Sequence, residues 1–181
     1  MKFRFDIRLT DKDYLDFNIF WMIKSHYGKK EMLKLRVGFV VLFGIGAALV
    51  LLMGEKSANT YINAAFLCLL CVAFEVFMNR FFAFTLKNNI KSMKKKGKMG
   101  YSPEAVMEFF EDYFTETTPE NKTEQKYTAV ERISIIRDEF VYIHINNVMA
   151  YLLPVNAFSS RQEYDSFIEF MKTKTDNIDI Y

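Results

Sequence analysis

NAAFLCLLCVAFEVFMNRFF, Asn63–Phe82, is an apolar run with one carboxylate, Glu75, set inside it. Extended to Tyr61–Phe84, it is long enough to cross a hydrocarbon layer of about 30 Å, which takes roughly 20 helical residues. It lacks the amphipathic stripe of a soluble core helix. Upstream lies VGFVVLFGIGAALVLLM, Val37–Met53, with no charge at all. At about 1.5 Å per residue this second run falls slightly short of the layer. Leu33 and Leu35 extend it, while Lys34 and Arg36 can snorkel to the headgroups. Between the two runs, GEKSANTYIN is a polar turn. The pattern predicts a transmembrane helical hairpin within residues 36–84, its spans at about 36–53 and 61–82.

Charge orients the hairpin. Lys24, Lys29, Lys30, Lys34 and Arg36 precede the first span, and Arg80, Lys87, Lys91, Lys94, Lys95, Lys96 and Lys98 follow from the second. The turn holds only Lys56, beside Glu55. The positive-inside rule then predicts a multi-pass protein of the cell membrane with both termini in the cytoplasm. Met1–Asp16 is too charged for the apolar region of a cleavable signal peptide. Residues 1–100 carry 17 basic and 7 acidic side chains, and residues 101–181 carry 7 and 15. Such a division points to two environments, a basic membrane part and an acidic folded part.

Glu75 then sits about 8–14 Å below the cytoplasmic surface at helical rise. A carboxylate there is either paired with a basic neighbour of the same leaflet or part of a proton or ion path. The second role normally needs several such groups, and neither span offers another. Gly44-x-x-x-Ala48 allows close helix approach, either within the hairpin or between two copies of the chain. Cys68 and Cys71, three apart in the apolar run, read as packing residues rather than a redox pair.

The flanking parts read as one folded domain. KFRFDIRL alternates Phe3, Phe5, Ile7 and Leu9 with charged residues, the pattern of a strand with one buried face. TDKD, Thr10–Asp13, starts a helix predicted to run to about Tyr27. Its bulky residues, Tyr14, Phe17, Phe20, Trp21 and Met22, either dock on the folded domain or lie in the membrane interface. A lone strand needs partners. AVMEFF, YFTETT, TEQKYTAV, RISII, FVYIHI and VMAYLLPV supply them as short, closely spaced strands of an antiparallel sheet or small barrel, with Pro154 marking an edge or an exit. Ser160-x-x-Glu163 then caps a helix with Tyr164, Phe167, Ile168 and Met171 on one face. The fold class is an α+β membrane protein: a two-helix hairpin plus a small antiparallel β-domain with a C-terminal capping helix, joined by an N-terminal strand and helix. Residues 1–35 form that N-terminal strand and amphipathic helix, 85–100 a basic juxtamembrane linker, 101–173 the β-domain and 174–181 a loose polar tail.

Few residues suggest chemistry. His144 in YIHI falls on the face opposite Val141, Ile143 and Ile145, the expected solvent side of a strand, and His26 reads as a helix end. Neither histidine has neighbours at zinc spacing. Asp11, Asp13 and Asp16 suit a helix N-terminus. The sequence holds no G-x-S-x-G, no glycine-rich phosphate loop and no evident nucleophile with its base, so neither a catalytic residue nor a cofactor or metal is expected. The strongest functional feature is KNNIKSMKKKGK, in which Lys87, Lys91, Lys94, Lys95, Lys96 and Lys98 would contact anionic lipid headgroups of the inner leaflet. Nucleic acid fits poorly, because no stacking aromatics interleave these lysines.

FRFDIRLTDKDYLDFNIFWMIKS resembles the opening of the YcxB-like family, a short strand leading to an acidic helix before two membrane spans. FVYIHINNVMAYLLPVNAFSSRQEYDSFIEFM is similar to that family's C-terminal domain, through Phe140–Ile143, Tyr151–Pro154, Ala157-Phe158 and Ser160–Met171. The chain departs from the family where Tyr127 replaces a frequent tryptophan and Val155 a basic residue. The resemblance implies a two-span bacterial membrane protein whose cytoplasmic β-domain is likened to a pleckstrin-homology fold. It implies no activity. The sequence therefore leads to a membrane-anchored, non-enzymatic interaction or regulatory module with an unknown protein partner and a possible homo-oligomeric state. The alternative is a small transport or channel accessory acting through an oligomeric hairpin and Glu75, and an enzyme ranks last.

Overall fold

The computed structural model describes residues 1–97, 99–146 and 149–181. The chain divides into two compact units, residues 1–17 with 97–181, and residues 18–96.

The first unit is the β-domain, and it uses both ends of the chain. Strand β1 (Phe3–Arg8) pairs antiparallel with β2 (Glu104–Phe109), which continues through β3 (Tyr113–Thr117) to β4 (Lys122–Lys126). The register sets Phe5 opposite Met107 and Phe3 opposite Phe109, so the alternating apolar side of the N-terminal strand enters the core. A second sheet has the order β7-β6-β5-β8, from β5 (Arg132–Ile136), β6 (Phe140–His144), β7 (Ala150–Pro154) and β8 (Ile178–Ile180). Pro154 ends the edge strand β7, where its missing N–H costs no interior ladder bond. Asp138 takes a positive φ of 59° in the tight β5–β6 turn, a conformation that aspartate tolerates better than most side chains. The strand read in TEQKYTAV is shorter than its sequence pattern, because a 3-10 turn at Tyr127–Ala129 ends it.

Helix α4 (Arg161–Lys172) closes this unit. Ser160 Oγ accepts from the Glu163 N–H at 3.2 Å, as the capping signal predicts. Glu163 returns its carboxylate to Ser159 rather than Ser160, accepting from the Ser159 N–H and hydroxyl at 2.7 and 2.6 Å. Phe167 is fully buried and contacts Phe3, Phe5 and Phe109 edge-on, with ring centroids 4.8–5.4 Å apart. The two ends of the domain also meet in charge. Glu111 pairs with Lys2 and accepts from Lys174 Nζ at 2.8 Å, and these bonds, Lys174's first, hold its carboxyl down to about 2.

Two expectations for this unit need correction. Residues 174–181 are not a loose tail: β8 pairs in parallel with β5, Ile178 opposite Ile133 and Ile180 opposite Ile135. Tyr181 N–H adds a bond to the Ile135 carbonyl at 2.9 Å. Nor does His144 face solvent, since it is 0% exposed. Every residue of β6 is buried, because the sheet is covered on both faces. On the second face stands Phe17 of α1 (Asp11–Ile19), its ring 5.0 Å from that of Tyr142 and 6.3 Å from His144. Tyr14 of the same helix stacks on Tyr101 at 4.8 Å, and Tyr101 donates to Asp11 Oδ1 at 2.8 Å. This part of the N-terminal helix therefore docks on the β-domain.

The second unit is a helical hairpin. A π-helical turn (Phe20–Lys24) leads to α2 (His26–Met53), and a short turn joins α2 to α3 (Ala58–Lys95). Both helices are long and apolar enough to cross a membrane. At about 1.5 Å per residue they measure roughly 42 and 57 Å, well beyond a layer of about 30 Å. Large apolar side chains stand exposed along both, among them Val40, Leu49, Phe66, Leu69 and Phe77. Phe39 and Phe74 pack at 4.2 Å, and Ala47 and Ala64 are buried. Gly44 and Ala48 are instead exposed, and a Cβ on Gly44 would meet nothing within 4 Å, so Gly44-x-x-x-Ala48 does not form the contact inside this hairpin.

Three boundaries move. His26 opens α2 rather than ending a helix, because Ser25 breaks the chain and caps the next helix. α2 begins ten residues before the span read from hydropathy, since hydropathy marks the apolar stretch and not the helix that carries it. The basic segment read as the juxtamembrane linker 85–100 is helical through Lys95.

Candidate membrane-interface site

Residues with functional potential gather at the end of the hairpin away from its turn. The first component is an elbow. Ser25 Oγ donates to the Trp21 carbonyl at 2.6 Å and accepts from the Gly28 N–H at 2.9 Å, while Ser25 N–H closes a wide turn onto the Phe20 carbonyl at 2.8 Å. Gly28 passes so close to the preceding turn that a Cβ would lie 2.1 Å from the Trp21 oxygen and 2.5 Å from that of Met22. Only glycine fits there. Beside the elbow, Trp21, Met22, Met32, Leu35 and Phe82 line an apolar groove of about 490 Å³, rimmed by Glu31 and Lys34, which bond to each other at 2.6 Å.

The second component is an ion pair between the helices. Arg36 lies 3.7 Å from Glu75 Oε2 and donates to Asn79 Oδ1 at 3.0 Å. Glu75 and Asn79 are four apart on α3, so one guanidinium reaches both. The other carboxylate oxygen, Oε1, is buried and has no hydrogen bond among the described residues. The pairing follows from counting: Arg36 stands 17 residues before the last residue of α2, and Glu75 17 after the first of α3. In a hairpin, equal distance from the turn means equal depth.

The third component is the lysine run. Lys87, Lys91, Lys94 and Lys95 fall within a quarter to a third of the circumference of α3, because residues three and four apart share a helix face. Lys96 is the C-cap residue, and Gly97 with φ of 65° ends the helix in the left-handed conformation. Cations in the last turn also suit the negative end of the helix dipole. Lys98 lies outside the described residues. On one side of α2, Ile23, Lys29, Met32, Leu33, Arg36 and Asn79 form a further cleft of about 320 Å³.

In the β-domain the structure joins two residues that the sequence left apart. His144 Nε2 and Ser134 Oγ are 3.1 Å apart on neighbouring strands, both at 0% exposure. Burial, and then the positive charge of Arg132 across the ladder, pushes the imidazole down to about 3. The pair is buried, and Nδ1 has no hydrogen-bond partner among the described residues. The uninterrupted bulky run FVYIHI was the available sign of burial on both faces.

Fold and site together define an α+β protein with two candidate membrane-crossing helices and a compact β-domain. Within that class, residues 109–171 match the model of the family described as YcxB-like protein, from the end of β2 to the last turn of α4. No curated protein and no solved structure matches the chain.

Proposed function

We propose that the chain is a membrane-anchored, non-enzymatic interaction or regulatory module that holds a cytoplasmic, pleckstrin-homology-like β-domain at the inner leaflet. One observation carries this reading: two long helices expose apolar side chains along their length and keep their cations at the ends away from the turn. The positive-inside rule, applied to those cations, supports a cytoplasmic location for both termini. The lysine face of α3 then lies along anionic headgroups, where each cation adds about 1 kcal/mol of attraction. The acidic β-domain offers the edge strands β4 and β7 to a protein partner by strand addition. The test is crosslinking in native membranes with identification of captured proteins. A specific partner lost on charge reversal of Glu124 and Lys126 in β4, and kept by Glu75→Gln, supports the module. No specific partner contradicts it.

A second reading, a transport or channel accessory working through an oligomeric hairpin, is favoured by the Glu75 oxygen that has no hydrogen bond among the described residues. It predicts a solute flux in reconstituted vesicles that Glu75→Gln abolishes.

A further inference from the structure

We propose that the cleft between Lys29 and Arg36 is a specific site for the phosphate-bearing headgroup of an anionic glycerophospholipid. The inference rests on the anchoring reading and concerns residues apart from the lysine run.

The cleft is built by three elements of the hairpin unit. The π-helical turn supplies Ile23, α2 supplies Lys29, Met32, Leu33 and Arg36, and α3 supplies Asn79. Lys29 and Arg36 are seven residues apart, so they project from one face of α2. Their axial separation is about 10 Å, comparable with the depth of a headgroup layer. Arg36 directly precedes the uncharged run that starts at Val37, which puts its guanidinium at the border of the hydrocarbon and Lys29 farther out.

Charge complementarity selects the occupant. Glu31 is the only acid between Asn18 and Gly54, and Lys34 already neutralises it at 2.6 Å. Lys29 has no carboxylate within ion-pair distance among the described residues. Arg36 uses one N–H on Asn79 and keeps a looser contact of 3.7 Å with Glu75, leaving donors of its planar fork for a phosphate. The cleft therefore carries a net positive charge beside apolar Ile23, Met32 and Leu33, which suit the glycerol and upper acyl carbons. A soluble phosphate would use the two cations and leave that apolar wall wet. A lipid uses both.

The test is native mass spectrometry of the full chain released from vesicles of phosphatidylcholine containing phosphatidylglycerol. One phosphatidylglycerol is expected to stay bound per wild-type chain. Lys29→Ala is expected to lower its retention about fivefold, the size of one surface cation's contribution. Lys94→Ala with Lys95→Ala is expected to leave it unchanged. Lys29 makes no ion pair among the described residues, so its replacement is expected to keep the hairpin intact, and circular dichroism checks that it has. Equal retention by Lys29→Ala and wild type, or equal retention of phosphatidylcholine, would overturn the site while leaving the anchor standing. Release of the wild-type chain from the vesicles by alkaline carbonate would overturn the anchor and the site together.

Discussion

At Gly28 a single hydrogen atom decides whether the elbow can form. A methyl group there would overlap the Trp21 and Met22 carbonyls, which are backbone and cannot rotate away. Gly28→Ala is expected to destabilise the hairpin by about 1–3 kcal/mol, as overpacking does elsewhere. Gly38→Ala, at a position with nothing within 4 Å, is expected to be neutral, and chemical unfolding in detergent followed by circular dichroism compares the two. Arg36 and Glu75 act as a pair, so the double replacement by alanine should lie closer to wild type than the sum of the single ones. A coupling of about 1 kcal/mol in that cycle is expected, because removing one partner strands the other. His144 is expected to carry the domain's pH dependence near neutrality. The folded state keeps it neutral down to about pH 3, whereas its ordinary value is 6.5, so the unfolded chain binds the extra proton in between. Stability should therefore fall as pH drops from 6.5 towards 3, by up to about 1.4 kcal/mol per pH unit. Denaturant midpoints of the β-domain at pH 7, 6 and 5 measure this slope, and His144→Gln should remove it. Glu111 enters only lower, since its depressed pKa gives stability present above about 4.5 and lost as pH falls through about 2.

Among the elements, β8 shows most clearly where sequence patterns run out. IDI is only three residues long and pairs in parallel with a strand more than forty residues away, so no local periodicity announces it. Truncation after Lys174 should raise hydrogen exchange across β5, whose Ile133 N–H bonds to the Asn177 carbonyl and whose Ile135 carbonyl accepts from Tyr181. Unchanged protection of β5 would show that β8 adds nothing. The elements that were legible are those whose patterns are long or strict. β1 alternates over its full length, α4 carries a cap and four apolar residues on one face, and the hairpin runs are apolar without interruption. The elbow was hidden because Ser25 to Gly28 reads equally as the end of one helix or the start of the next. The Lys87–Lys95 segment was hidden because lysine propensity for helix says little beside a hydropathy signal that stops at Phe84.

For the whole molecule, the chain folds so that its first 17 residues and its last 85 build one unit, with the hairpin inserted between them. β1 pairs with β2, so the two helices of the hairpin return the chain to the unit it left. Of the candidate site, the lysines and Glu75 were visible as isolated residues. Their partners depended on depth in the hairpin, and Ser134 with His144 depended on strand register, which sequence alone specifies weakly. The central claim is that α2 and α3 cross the bilayer with both ends inside. Single cysteines at Asn59, in the first turn of α3, and at Lys126, on β4, placed in a Cys68→Ser, Cys71→Ser background, can be probed in sealed cells with a membrane-impermeant maleimide. The account predicts labelling of Asn59→Cys and protection of Lys126→Cys until the cells are permeabilised, and labelling of Lys126→Cys in intact cells would contradict it.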